Sequence, residues 1–206
     1  MIRYLPLALF VGAYSIGLGW WTLAQGNKEF LFYGAMMVLE IALVAIVHAR
    51  VKLSMTVLWL LAVWGLLHMA GGTVPIPREF MASLVPEEGT GNVLYNFRPW
   101  PWFPKYDQTV HAFGFFTCTL LAWECLRAFA GKGCKPTPGA ALLCGLVGMG
   151  LGAVNEVIEF VAVLTIPNTN VGGYENTGWD LVSNLTGCVL GGLVILARGR
   201  STSAQD

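Results

Sequence analysis

The chain has 206 residues, 55% of them hydrophobic and only 12% charged, with a mean hydropathy of +0.62. Soluble domains carry about twice that share of charge, so the composition excludes a soluble globular protein. Lys plus Arg and Asp plus Glu each number 12, which leaves no basic excess for nucleic acid.

Six apolar runs separate at about 20 residues per span. They lie near 5–24, 30–49, 53–70, 110–130, 140–166 and 179–197. The expected fold is an all-α, polytopic membrane helix bundle with six transmembrane helices, residues 1–206 forming one membrane domain. The first run follows a single Arg3 and lacks a small-residue cleavage site, so it reads as a spanning helix rather than a signal peptide. Glycine, proline and basic residues punctuate the breaks at 26–28, 50–52 and 131–139. The five cysteines, 118, 125, 134, 144 and 188, form no C-x-x-C pair and read as buried thiols.

Basic residues set the expected orientation. Arg3, Arg50, Lys52, Arg127, Lys132, Lys135, Arg198 and Arg200 fall on one side; Lys28, Arg78, Arg98 and Lys105 fall on the other. The richer side faces the cytoplasm, which places both termini there. The long connection 71–109 is then an outer loop. Glu79, Glu87 and Glu88 lie in its first half, and its second half, 95–104, is aromatic with three prolines. Those prolines exclude a regular helix. Tryptophan-rich segments settle at headgroup level, so this half is expected at the outer interface, either as an aromatic belt or as a wall of a lipid-facing cleft. Gly148 with Gly152 and Gly187 with Gly191 have helix-packing spacing, and direct contact between the fifth and sixth spans is expected through them.

The chemistry gathers at one end. Glu156 and Glu159 lie on one face of an apolar run. Each carboxylate costs about 2.5–3.5 kcal/mol at mid-membrane on insertion scales, so both need partners. His68 ends the third span, Asp107 and His111 open the fourth a turn apart, and Asp180 and Asn184 open the sixth. Alternating helix direction brings all of these to the same side. Two histidines with four acids suit a divalent metal such as zinc, iron or manganese, held by His68, Asp107, His111, Glu156, Glu159 and Asp180. They equally suit metal-free proton transfer, with His111, Glu156, Glu159 and Asp180 as catalytic acids and bases. A hydrogen-bonded network that only locks the bundle is the third alternative. Glu40 sits in mid-span with no evident partner, His48 lies near the other end of the bundle, and Glu124 is expected to pair with Arg127 on a helix surface.

The segments Tyr106 to His111, Asn155 to Glu159 and Asp180 to Gly187 occur in this order on successive spans. They resemble the VanZ-like membrane proteins, whose pattern runs D-K-x-x-H, then E-x-x-Q, then D-x-x-x-N-x-x-G. Glu159 stands where Gln is usual in that pattern, and Gln108 where Lys is usual. With His68, Gly71, Gly72 and the aromatic loop, the whole chain resembles the YjdF-like bacterial inner-membrane proteins. The resemblance implies a multi-pass protein of the bacterial plasma (inner) membrane. Some VanZ relatives are tied to glycopeptide resistance, which implies envelope chemistry.

Three functions follow as expectations. The first is an enzyme acting from the outer leaflet on a membrane lipid or lipid-linked envelope substrate. The second is a proton-coupled carrier using Glu156 and Glu159 as a relay. The third is a structural or regulatory membrane protein with an inert polar core.

Overall fold

The computed structural model describes residues 2–77, 92–131 and 133–203, with side chains to 198. Arg78, Glu79, Glu87, Glu88, Lys132 and Arg200 of the sequence analysis therefore lie outside what is described, in whole or in side chain. Among the described residues there are six long helices: α1 (Leu5–Gln25), α2 (Lys28–Val51), α3 (Met55–Thr73), α4 (Tyr106–Ala130), α5 (Pro138–Thr165) and α6 (Tyr174–Ser203). All six are long and apolar enough to cross a membrane. The protein is a polytopic membrane helix bundle.

The helix ends follow from local chemistry. The Asn27 side chain accepts from Phe30 N at 3.0 Å and starts α2. The Ser54 hydroxyl accepts from Val57 N at 3.3 Å and starts α3, and the Thr137 hydroxyl accepts from Ala140 N at 3.2 Å and starts α5, with Pro138 in its first turn. Gly26 adopts φ 63°, a left-handed conformation natural to glycine, and ends α1. Two helices start well before their apolar runs. α4 begins at Tyr106 rather than 110, and α6 at Tyr174 rather than 179. Hydrophobicity marks depth in lipid, whereas backbone hydrogen bonding continues into the polar turns beyond.

α4 is the central helix. It packs on α3, α5 and α6, while α1 and α2 pack on α3. The apolar helix faces that remain exposed, such as Leu9, Leu39, Val157 and Phe160, suit acyl chains.

The glycine expectation needs correction. α5 and α6 do pack together, but the two glycine pairs do not meet as ridges. A methyl group at Gly187 would lie 2.0 Å from the Ala112 backbone oxygen, and one at Gly191 would lie 2.8 Å from Thr119 Cβ, both on α4. Gly152 faces Asn184, and Gly148 faces Thr119 and Cys188. The α6 glycines thus seat that helix on α4, the widest contact in the bundle.

Glu124 also departs from expectation. Its carboxylate accepts from Ser54 N at 2.7 Å and from the Ser54 hydroxyl at 2.6 Å. It therefore braces the start of α3 instead of pairing with Arg127, which lies over the Trp123 ring at 6.0 Å. An orphan N–H at a helix start is the stronger attractant. The Tyr4 and His48 rings meet edge-on at 5.3 Å. All five cysteines are free thiols.

The described part of the loop between α3 and α4 holds a short 3-10 turn at Leu94–Asn96 and no α-helix. Its neck is pinned by a bridge between Pro75 and Val93, and Tyr106 N donates to Phe97 O at 2.9 Å. Trp100 and Trp102 stack with centroids 5.7 Å apart and stay exposed.

Candidate functional site

The site is built where α4, α5 and α6 converge. In the first turn of α4 the Gln108 side chain accepts from Lys105 N at 2.9 Å. This cap fixes the helix start, so Asp107 and His111 project one turn apart toward α5 and α6. Gln108 thus has a structural use at the start of α4.

His111 is buried at the centre. Its Nδ1 donates to Asn184 Oδ1 at 3.0 Å. That bond turns the other nitrogen, Nε2, toward Asp107 Oδ1 at 3.6 Å and Glu159 Oε1 at 3.7 Å. Glu156 Oε1 lies 3.6 Å from Nδ1. Two sets of candidate ligand atoms follow, Asp107 with His111 and Asp180, and His111 with Glu156 and Glu159, each set within 4.8 Å. Five of the six residues expected at a metal site therefore fall in these two sets, which share His111.

His68 stands outside both sets. The Tyr95 hydroxyl lies 2.6 Å from its Nδ1 and donates to its backbone carbonyl at 2.9 Å. The rings of Phe30, Tyr33 and Tyr95 surround it. His68 still lines the cavity shared by Tyr33, Asp107 and Glu159. Burial pushes the Tyr95 phenol well above its ordinary range, and the nearby Asp107 and Glu159 act in the same direction. Tyr95 is therefore a neutral hydroxyl at any physiological pH.

Several site residues escaped sequence reasoning. Asn176 lies one turn before Asp180, and its Nδ2 donates to Asp180 Oδ2 at 2.6 Å and to Val171 O at 2.8 Å. Lys105 is buried, and its Nζ donates to Asn176 Oδ1. Asn155 Nδ2 donates to Glu159 Oε1 at 2.8 Å. Glu29, at the start of α2, accepts from Asn170 N at 2.9 Å and from Asn170 Nδ2 at 2.8 Å. Those two bonds fasten the connection between α5 and α6 over the cavity. The stripe Asn176, Asp180, Asn184 at four-residue spacing was the available signal for one of these. Lys105 carried none, since a basic residue beside a membrane surface ordinarily snorkels to water.

Not every polar atom here is satisfied. Both carboxylate oxygens of Glu156, Asp180 Oδ1 and Asn184 Nδ2 are buried with no hydrogen-bond partner among the described residues. Asp180 is 0% exposed. Buried polar groups are nearly always paired, and a paired cation is the usual companion of buried carboxylates. The donor set of one imidazole and several carboxylates fits a borderline or hard divalent ion such as zinc, iron or manganese.

Comparison with known proteins bears on the family. An 84-residue segment, 40% of this chain, is 30% identical to an uncharacterized protein of Thermotoga maritima, and covers 43% of that protein. The chain thus spans less than half the length of this relative. No solved structure matches the chain. A model of a membrane protein family matches residues 6–201, nearly the whole sequence and all six helices. The chain belongs to the family described as Predicted membrane protein (DUF2238).

Proposed function

We propose that this protein is a membrane-embedded enzyme with a divalent-metal centre at His111, acting on a lipid or lipid-linked envelope substrate. The observation that carries this reading is the convergence of Glu156 and Asp180, each with a buried carboxylate oxygen that meets no hydrogen bond among the described residues, on a single imidazole anchored by Asn184. An inert network would satisfy its own members, because an unpaired buried polar atom costs about 1–3 kcal/mol. A cation held by Asp107, His111 and Asp180, or by His111, Glu156 and Glu159, would give the carboxylates of that set a partner.

When bound, such an ion supplies Lewis acidity at the reacting oxygen of a substrate. The chain's own residues do the rest. Asn184 holds the His111 proton on Nδ1 and leaves Nε2 with its lone pair free to act. Asn155 orients Glu159. Asn176, itself held by Lys105, orients Asp180. Neither oxygen of Glu156 meets a hydrogen bond among the described residues, so one can serve an ion while the other would take a proton from the attacking group.

The resemblance to YjdF-like and VanZ-like proteins supports a bacterial plasma membrane, and the basic residues support cytoplasmic termini. The His111 end then faces the outer leaflet.

Elemental analysis of protein purified without added metal tests the reading. About one divalent ion per chain is expected, and its loss on Asp180→Asn and on Glu156→Gln, with folding intact by circular dichroism. Metal-free wild-type protein that also fails to take up zinc, manganese or iron would overturn it.

A further inference from the structure

The His111 site has a side door. α2 packs on α1 and α3, and α5 packs on α4 and α6. The two helices come together at the His111 end, where Ala162 joins Phe30, Tyr33 and Met69 in one apolar cluster. Glu29 and Asn170 close the same end. Deeper in the membrane a narrow crevice separates them, lined by Met36, Met37 and Glu40 of α2, Trp64 of α3, and Asn155 and Ile158 of α5. Glu40 is exposed at its mouth, and Met36, Asn155 and Ile158 are half-buried.

Three features give this crevice a direction. Tyr33 and His68 line both it and the cavity holding Asp107 and Glu159, so the two spaces adjoin. The Tyr33 hydroxyl is buried between them with no hydrogen-bond partner among the described residues. Asn155, on the crevice wall, already holds Glu159 of the site. From the lipid side inward the hydrogen-bonding groups run Glu40, Asn155, Tyr33. Glu40 and Tyr33 are two turns apart on one helix face, about 10 Å along the axis.

The mouth faces hydrocarbon, so its ligand must be soluble there. A bare hydrocarbon chain would leave these polar groups unsatisfied. An ion or sugar would not enter from lipid. We infer that the site takes its ligand sideways, between α2 and α5, as a long-chain amphiphile with a small hydrogen-bonding head such as a hydroxyl. The head passes Glu40 and Asn155 and rests on the Tyr33 hydroxyl, while the chain trails back through the mouth into the hydrocarbon. Met36 and Met37 make the walls deformable, since unbranched thioether chains repack readily. This inference rests on the proposed metal centre for what happens at the end of the path, but the path is tested independently.

The test uses the full-length protein in proteoliposomes with a long-chain alcohol carrying a diazirine beside its hydroxyl. Met37 is 7% exposed, so lipids on the bundle surface do not reach it. Photolabelling mapped by mass spectrometry should mark Met37 or Tyr33. Ile158→Trp, which narrows the crevice, should reduce that label several-fold. Tyr33→Phe should reduce it as well, with unchanged melting and metal content, because the lost hydroxyl bonds nothing. Label confined to exposed residues such as Leu39, Val157 and Phe160 would overturn the route. Metal content measured on the same preparation separates the two ideas. Metal without label at Met37 or Tyr33 removes the route and keeps the centre. Label at Met37 without metal keeps the route and removes the centre.

Discussion

His111 Nδ1 lies 3.0 Å from Asn184 Oδ1, a bond between α4 and α6 made in the buried core. It fixes which imidazole nitrogen carries the proton and aims the other at Asp107 and Glu159. Asn184→Ala removes the anchor without touching a proposed ligand. Metal affinity should fall about 10–100-fold, the usual effect of losing such a partner. Competition with a chromophoric chelator measures this. Unchanged affinity would mean that the imidazole is oriented by the acids alone.

At Gly187 the backbones of α6 and α4 approach too closely to admit a side chain. A methyl group at Gly187 would sit 2.0 Å from Ala112 O and 2.8 Å from Phe116 N, both backbone atoms that cannot step aside. Gly187→Ala should destabilise by at least about 1–3 kcal/mol, the cost of overpacking. Gly150→Ala is the control, because no atom lies within 4 Å of its added methyl. Thermal unfolding in detergent should separate the two variants clearly.

Glu29 holds the α5–α6 connection through two bonds to Asn170. Hydrogen bonds to a charged group contribute about 1.5–3 kcal/mol. Glu29→Ala should therefore raise amide exchange at 166–173 while leaving exchange in the middle of α4 unchanged. Equal protection in both proteins would show that the connection is held by packing at Ile166 and Val171 instead.

Much of this architecture was legible in the sequence, for stated reasons. Apolar runs of span length have few alternatives in lipid, so all six helices emerged. The cost of Glu156 and Glu159 in hydrocarbon pointed to partners, and alternation of direction named the end where partners lie. What escaped was the identity of the neighbours in three dimensions. Periodicity shows that Gly187 and Gly191 share a face but not that α4 covers it. His68 shares the right depth but turns to Tyr95, because a buried hydroxyl from the loop reaches its Nδ1 first. Glu124 finds the open N–H of Ser54 across 70 residues, a contact no local pattern encodes. Lys105 and Asn176 lie in polar turns outside the apolar runs, where one polar residue looks like any other until a buried acid is placed beside it.

Topology is tested by reporter fusions. With cytoplasmic termini, fusions at Gly133 and at the C-terminus should report the cytoplasm, and a fusion at Glu88 the opposite side. An outer location for Gly133 would invert the protein and move the His111 end to the inner leaflet.

The proposed divalent-metal centre at His111 has a direct spectroscopic signature. X-ray absorption at the metal edge of the purified protein tests it most directly. A shell of only nitrogen and oxygen near 2.0–2.2 Å is expected, with outer scattering from a single imidazole. On His111→Ala the imidazole signal should vanish. A shell containing sulfur near 2.3 Å would place the ion at the cysteines, and a spectrum unchanged by His111→Ala would place it elsewhere. Either result would contradict the account.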